Sequence, residues 1–83
     1  MKVRLRLYAT LRDHLPPGTD TQGAVLDLPA STTIPEALAA LDVPLSLAHI
    51  ILINGRHVLK PDAPTRRLNE GDELAVFPAI GGG

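Results

Sequence analysis

Three histidines are the first residues of this sequence whose side chains could bind a metal ion or transfer a proton. His14, His49 and His57 lie in separate segments, without the spacing of metal ligands and without a cluster of carboxylates beside them. A protein metal site needs three or four ligands that converge on one ion. The sequence therefore predicts ordinary surface histidines and no bound metal.

The sequence gives little more support to a nucleophilic site or a phosphate-binding site. Ser31, Thr32 and Thr33 are consecutive, but no base is placed to activate them, and helix capping explains them better. Arg66-Arg67 is interpreted as a solvated surface that could attract an acidic partner. The acidic segment 69–73 lacks the spacing of a calcium loop, and no glycine-rich phosphate loop is present. Side-chain chemistry alone predicts no catalytic group and no bound cofactor.

The remaining candidate is the C-terminal segment, which reads Pro78-Ala79-Ile80-Gly81-Gly82-Gly83. Three glycines at a terminus are conformationally costly to order and pack against nothing. Composition alone favours a frayed terminus or a cloning remnant, since chain termini are commonly disordered. The glycines nevertheless follow directly on a predicted strand, with no tag or linker between.

Composition limits the other possibilities. A chain of 83 residues, 45% of them hydrophobic, predicts one small domain with a modest core that contains few aromatic side chains. The net charge of −1 argues against nucleic-acid binding, and the absence of cysteine excludes disulfides and iron–sulfur clusters. No apolar stretch approaches the ~20 residues of a membrane span, and charges interrupt the N-terminal segment where a signal peptide would be apolar. A cytoplasmic protein that binds no membrane is expected.

Alternating apolar and polar residues predict half-buried strands at both ends of the chain. Residues 2–8 alternate cleanly, and a second such run follows at 24–28. Residues 73–77 form the last strand, in which Phe77 faces outward beside the C-terminal segment. Aromatic residues are enriched at interface hot spots, so Phe77 is a candidate partner contact.

The middle of the chain predicts one helix and one hairpin. Thr33 and Glu36 have the spacing of a capping box, and Pro44 blocks continuation, which places the helix at about 34–42. Residues 50–53 are apolar on both faces and predict a strand covered on both sides or nearly so. Asn54-Gly55 is a strong hairpin signal, with residues 56–59 returning. One helix packed across a mixed sheet of four to five strands is an α+β, β-grasp (ubiquitin-like) arrangement. Residues 1–78 would form the domain and 79–83 a flexible tail.

Several segments in this order resemble the MoaD/ThiS group of ubiquitin-like sulfur carrier proteins, most closely the small subunit of molybdopterin synthase. The resemblance lies in "VRLRLYATLRDHL", "TTIPEAL", "ILINGR" and "LNEGDELAVFPAIGGG". The chain departs from the family's ending at Ala79, where a second proline is usual, at Ile80, where valine is usual, and at Gly81, where alanine is usual. The last two glycines of the family fall on Gly82 and Gly83.

The resemblance implies a function for this ending. A ubiquitin-activating-type enzyme would use ATP to adenylate Gly83, and a sulfur donor would convert the adenylate to a thiocarboxylate. Gly81 and Gly82 would give passage into partner active sites, and Phe77, Pro78 and Ile80 would guide the tail and contact the partner. The sulfur-accepting partner would be the molybdopterin synthase large subunit, and the carrier alone would not be an enzyme and would bind no cofactor.

Three other functions stay open at this point. Within the same chemistry, the acceptor could serve thiamine, cysteine or thiolated tRNA. A protein modifier would instead be conjugated to lysines through Gly83. A plain interaction module would not need its last two residues at all.

Overall fold

The computed structural model describes residues 1–79 and contains one five-stranded mixed sheet. The strands are β1 (Lys2–Leu7), β2 (Ala24–Asp27), β3 (Ile50–Ile53), β4 (Arg56–His57) and β5 (Glu73–Phe77). Their spatial order is β2-β1-β5-β3-β4, with β1 and β5 parallel and the other neighbours antiparallel. The first and last strands therefore lie side by side inside the sheet, and the predicted β-grasp fold is confirmed.

The helix α1 (Ile34–Ala39) begins as its sequence predicts. The Thr33 side chain accepts a hydrogen bond from the Glu36 amide, and the Glu36 carboxylate accepts one from the Thr33 amide, which completes the capping box. Two short 3-10 helices, Ala9–His14 and Leu45–Leu47, complete the helical structure of the described residues. Ala9–His14 is the helical turn that follows β1.

The predicted end of α1 at residue 42 is wrong. Asp42 lies in the left-handed region at φ 59°, and its amide donates to the Ala39 carbonyl while the Val43 amide donates to the Leu38 carbonyl. This pair of bonds is a Schellman motif, which reverses the chain and ends the helix. Glycine usually occupies the left-handed position, so the aspartate gave no clear stop signal.

The core lies between α1 and one face of the sheet. Alternation places every second strand residue on this face, and the helix contributes one buried stripe. The most deeply buried large side chains are Leu5, Ile34, Leu38, Leu68, Leu74, Val3, Val43 and Val76. Within the described residues, no helix is long and apolar enough to cross a membrane.

The prediction that β3 is covered on both faces is wrong. Ile51 and Ile53 are buried, but Ile50 remains 40% exposed and Leu52 is half-buried. No element of residues 1–79 packs over that second face, because the single helix covers only the other one. Apolar residues in β3 consequently contribute to a surface.

Candidate functional site

The sheet face opposite α1, here called the open face, combines charge with apolar surface. On β1 it presents Lys2, Arg4 and Arg6, which alternate with the buried residues of the strand. On β3 and β5 it carries an apolar patch, which consists of Ile50, Leu52 and Phe77, all exposed or half-buried, and of Ala75, which is buried. Ladder pairing joins these residues, with Ile50 opposite Phe77 and Leu52 opposite Ala75. Phe77 faces outward, as predicted.

Phe77 does not stand alone on this face. Its ring stacks on Tyr8, with ring centroids 4.2 Å apart and an interplanar angle of 9°. Tyr8 directly follows β1, and its amide donates to the Val76 carbonyl at 3.1 Å. The parallel pairing of β1 with β5 therefore brings the two aromatic residues together. Stacked aromatic pairs add ~0.5–1.5 kcal/mol to the free energy of burial, so this stack fixes the end of β5.

Arg6 also lies against the Tyr8 ring. Its guanidinium carbon lies 5.6 Å from the Tyr8 ring centroid, and its Nη1 donates to Glu73 Oε1 at 3.3 Å. Its Nη2 donates weakly to the Thr21 carbonyl at 3.5 Å. Its Nε is buried and has no hydrogen-bond acceptor among residues 1–79. The side chain thus ties β1 to β5 and to the loop 16–23, with one donor left unused.

The loop 16–23 is held against β1 by a close backbone approach at Gly23. A Cβ at this position would lie 2.3 Å from the Leu5 carbonyl oxygen and 2.9 Å from Arg6 Cγ, and its φ of +90° is itself unfavourable for other residues. Arg4 strengthens the contact by donating to the Gln22 carbonyl at 3.1 Å. Only glycine permits this approach.

The loop, β1 and the segment that follows β1 line an open cavity of about 230 Å³. We refer to it as the arginine cavity, because Arg6 and Arg12 are among its lining residues. Tyr8 lines it as well, so one ring connects the cavity with Phe77. The other lining residues are Leu7, Leu15, Asp20 and Thr21.

The chain leaves the sheet at Pro78. The Phe77 carbonyl accepts a hydrogen bond from the His49 amide, just before β3, at 2.8 Å. Pro78 has no amide hydrogen, so it cannot continue the ladder. Pro78 is half-buried and Ala79 is exposed. Four of the candidate residues lie outside the described residues, namely Ile80, Gly81, Gly82 and Gly83. The sequence nominates them for partner contact, tail passage and chemistry. The predicted flexible tail is therefore not tested beyond residue 79.

The remaining polar candidates have structural roles. His14 forms a hydrogen bond through Nδ1 with the Leu41 carbonyl at 3.1 Å, while His49 and His57 are exposed elsewhere. Residues 1–79 contain no group of histidine and acidic side chains that could hold a metal. Thr32 donates from its hydroxyl to the Pro29 carbonyl, which fits a turn rather than a nucleophile.

The acidic segment 69–73 is a turn, as the sequence predicts. Asp72 is buried and accepts hydrogen bonds from the Asn54 side chain at 2.9 Å and from the Asn69 amide at 2.7 Å. Asn54 also accepts from the Glu73 amide at 2.9 Å. These contacts join the β3–β4 hairpin to the start of β5, and they hold no calcium-type ligand set.

The sequence did not single out Tyr8, Arg6, Arg12 or Gly23. Alternation along β1 places Arg6 and Tyr8 on the outward face, but their proximity to Phe77 depends on the pairing of the two chain ends. Gly23 lies in a polar loop without periodicity, so no pattern indicated its contact with β1. Of the four, Tyr8 contacts Phe77 directly, Arg6 and Arg12 line the arginine cavity, and Gly23 lies against β1.

Comparison with known proteins agrees with this geometry. The sequence profile of the ThiS family matches residues 5–83. The fold is similar to the solution structure of the Haloferax volcanii HVO 2177 protein, with a TM-score of 0.75 and 27% identity over 100% of this chain and 87% of that one. It is also similar to the crystal structure of SAMP1 from Haloferax volcanii, with a TM-score of 0.66 and 23% identity over 100% of both chains. No curated protein sequence gives a significant match.

Proposed function

The chain belongs to the ThiS family, and from this premise we propose that it is a sulfur carrier whose Gly83 carboxylate becomes a thiocarboxylate. The observation that carries the proposal is the extent of the family match, which runs through Gly81, Gly82 and Gly83. Small proteins of this family are carriers rather than enzymes, and they work with activating enzymes and sulfur-accepting partners. The structure supports the proposal by placing the root of the tail at the end of a strand inside the sheet.

The chemistry follows from the poor reactivity of a carboxylate. The Gly83 carboxylate attacks the α-phosphorus of ATP in the activating enzyme, which releases pyrophosphate and leaves an acyl adenylate. A sulfur nucleophile then attacks the acyl carbon and displaces AMP, so one difficult substitution becomes two easier ones. ATP is therefore a cosubstrate of the activating enzyme and not a cofactor bound by this chain.

The length of the tail fits delivery into a deep active site. From Pro78 to Gly83 six residues span ~20 Å when extended. The glycines allow close approach of the partner's walls because they have no Cβ. Pro78 restricts the backbone where the tail begins. The tail can thus reach buried chemistry while the domain stays outside.

We assign the partner contact to the apolar patch around Phe77, together with Pro78 and Ile80. Within the patch Ile50 is 40% exposed, and Phe77 is half-buried with the Tyr8 ring stacked on it. Phe77→Ala should weaken binding to the activating enzyme in a calorimetric titration without unfolding the domain. Leu59→Ala is a matched control, because Leu59 is 58% exposed and lies outside the patch. Equal affinity of the Phe77 variant and the wild type would remove Phe77 from the contact.

For the sulfur acceptor we propose the large subunit of molybdopterin synthase, with this chain as the small subunit. The support is the sequence around the tail root, where Phe77-Pro78 is followed by Ile80 and the final glycines. A reconstitution with the large subunit and its precursor substrate tests this choice. Sulfur transfer to an acceptor of thiamine, cysteine or tRNA synthesis instead would contradict the proposed acceptor but would still support the carrier function.

Intact-mass measurement tests the carrier chemistry directly. The chain is incubated with ATP, a family activating enzyme of verified activity and sulfide. Replacement of one oxygen by sulfur at the terminal acyl carbon should add about 16 Da. A chain without Gly83 is the control and should not gain this mass. An unmodified wild-type chain, or a lysine-linked adduct in cells without any thiocarboxylate, would refute the carrier and favour the interaction module or the modifier.

A further inference from the structure

The cationic residues of the chain are concentrated in one segment. Residues 56–67 contain four of the eight lysines and arginines but only one of the nine acidic residues, Asp62. The four cationic side chains are all exposed, namely Arg56, Lys60, Arg66 and Arg67. The rest of the chain carries eight acidic and four basic residues. The slightly negative chain therefore has one locally positive segment.

The fold brings part of this segment together around an open cavity of about 620 Å³. Two arginines line it, Arg56 of β4 and Arg66 of the loop that follows, together with His57. We refer to it as the basic cavity. A volume of this order suits a ligand larger than a single inorganic ion.

Neither arginine of the basic cavity is neutralised by a described residue. The two ion pairs of residues 1–79 are formed by Met1 and Arg6, on the β1 side of the sheet. Asp62 accepts a hydrogen bond from the Arg66 amide through its backbone carbonyl at 3.0 Å, but its carboxylate forms no ion pair within residues 1–79. Both guanidinium groups are therefore available to an external anion.

Asp72 is the one carboxylate among the residues that line the basic cavity. It is only 7% exposed, and both of its oxygens accept hydrogen bonds, Oδ1 from the Asn54 side chain at 2.9 Å and Oδ2 from the Asn69 amide at 2.7 Å. The lining thus combines two permanent positive charges with a single carboxylate that is already hydrogen-bonded. Protonation of His57 would add a further positive charge.

The basic cavity is remote from the root of the tail. Ladder pairing places Arg56 opposite Ile53 and Ile53 opposite Leu74, near the start of β5, whereas Phe77 ends that strand. Two strand spacings across the sheet and three residues along it separate Arg56 from Phe77 by ~14 Å. A ligand held by Arg56 would therefore leave Phe77 and Pro78 accessible.

Charge complementarity identifies a carboxylate-rich peptide segment as the ligand. The planar fork of a guanidinium group matches the two oxygens of a carboxylate. A single phosphate ion would fill only part of a cavity of this size. A nucleic acid would continue beyond the cavity onto a chain with eight acidic and only four basic residues, which would repel its phosphates.

We propose that the basic cavity docks a carboxylate-rich segment of a partner protein, through Arg56 and Arg66, while the root of the tail stays accessible. The inference does not depend on the carrier chemistry, because no residue of the tail takes part. Exposed ion pairs are weak and are screened by salt, so the docking is reversible. It orients a partner whose main contact lies elsewhere on the domain.

Nuclear magnetic resonance of the isotope-labelled 83-residue chain tests the docking without any activating enzyme. The chain is titrated at low salt with a hexaglutamate peptide whose termini are blocked. We expect the amide and arginine Nε–H signals of Arg56 and Arg66 to shift, while the signals of Arg12 and Phe77 stay in place. A hexaglutamine peptide should cause no shift, and added salt should reverse the shifts by screening. Unmoved Arg56 and Arg66 signals, or equal shifts at Arg12, would overturn the proposal.

Two double variants separate the cavity from the net charge of the chain. Arg56→Gln/Arg66→Gln should weaken hexaglutamate binding ~10-fold, because each exposed ion pair contributes a few-fold in affinity. Lys2→Gln/Arg12→Gln removes the same charge outside the cavity and should leave the affinity unchanged. All four side chains are exposed, so both variants should fold, which their amide spectra verify. Equal weakening by the two variants would show attraction by net charge alone and would overturn the docking site.

Two further outcomes would assign the basic cavity to a different occupant and overturn the proposal. Hexauridylate that binds at Arg56 and Arg66 more tightly than hexaglutamate would make the cavity a nucleic-acid site. Shifts of the same signals when the chain alone is concentrated would make it an interface between two copies.

Discussion

Gly23→Ala should destabilise the domain strongly, because two independent costs coincide at this position. A Cβ would lie 2.3 Å from the Leu5 carbonyl oxygen, a backbone atom of a central strand that cannot move without disturbing the sheet. The φ of +90° adds a conformational cost of ~1–2 kcal/mol for a residue other than glycine. Crowding in a well-packed site costs ~1–3 kcal/mol. Together they predict a loss of about 3 kcal/mol in the free energy of unfolding.

Thermal unfolding followed by far-ultraviolet circular dichroism measures this loss. For a domain of this size, 1 kcal/mol shifts Tm by ~4–8 °C, so Gly23→Ala should lower Tm by about 12–24 °C. Small domains have ~5–15 kcal/mol of stability, and the variant should therefore remain folded at room temperature.

Gly18→Ala is the matched control for the steric part. Gly18 lies in the same loop at φ +81°, but a Cβ there would have nothing within 4 Å. Only the conformational cost applies, which predicts a loss of ~1 kcal/mol. A Tm for Gly23→Ala equal to that of Gly18→Ala would refute the argument that backbone contact with β1 requires glycine at position 23.

Three further predictions concern the stack, the hairpin and the helix start. Tyr8→Ala should lower stability by about 1–2 kcal/mol and weaken partner binding, whereas Tyr8→Phe retains the stack on Phe77; equal binding by both variants would contradict a role for the ring. Asn54→Ala removes two hydrogen bonds and puts alanine at φ 51°, so chemical denaturation should show a loss of about 2–3 kcal/mol, and a loss below ~0.5 kcal/mol would contradict the contact with the buried aspartate. Hydrogen bonds from the Thr33 amide and hydroxyl lower the pKa of Glu36 below its ordinary value of 4.5. The ionised Glu36 carboxylate therefore stabilises the folded state above pH 4.5, and this stabilisation is lost as the pH falls through the lower pKa of the folded state. The Tm values of wild type and Glu36→Gln should consequently differ at neutral pH and converge in acid.

Local signals predicted most of the elements correctly. β1 alternates strictly, so its buried face follows from period two, whereas β5 has three consecutive buried residues, Leu74, Ala75 and Val76. The Asn54-Gly55 turn was predictable because both residues tolerate positive φ, and both have it, at 51° and 81°. The capping box of α1 was equally local. The end of α1 was not, because Asp42 occupies a position where glycine is the usual signal.

Features that depend on tertiary pairing were not predictable in the same way. The apolar residues of β3 favour burial on both faces, but a single six-residue helix covers only one of them. The stack of Tyr8 on Phe77 depends on the parallel pairing of β1 and β5, which no nearby residue specifies. The arginine cavity depends in addition on the Gly23 contact. The sequence therefore nominated residues at its C-terminal end, of which the structure describes Phe77 and Pro78, and it did not indicate the contacts of Tyr8 and Arg6 beside them.

The place of β5 in the sheet has a consequence for synthesis of the protein. β5 lies between β1 and β3, so its five residues supply the ladder contacts that join the β1–β2 hairpin to the β3–β4 hairpin. Among the strands of residues 1–79, β5 is also the last to leave the ribosome. A nascent or truncated chain without β5 has two hairpins and no continuous sheet, and isolated hairpins are marginally stable in water. The continuous sheet therefore cannot form before β5 has been synthesised, and the open face, which spans β1, β5 and β3, does not exist in a shorter chain.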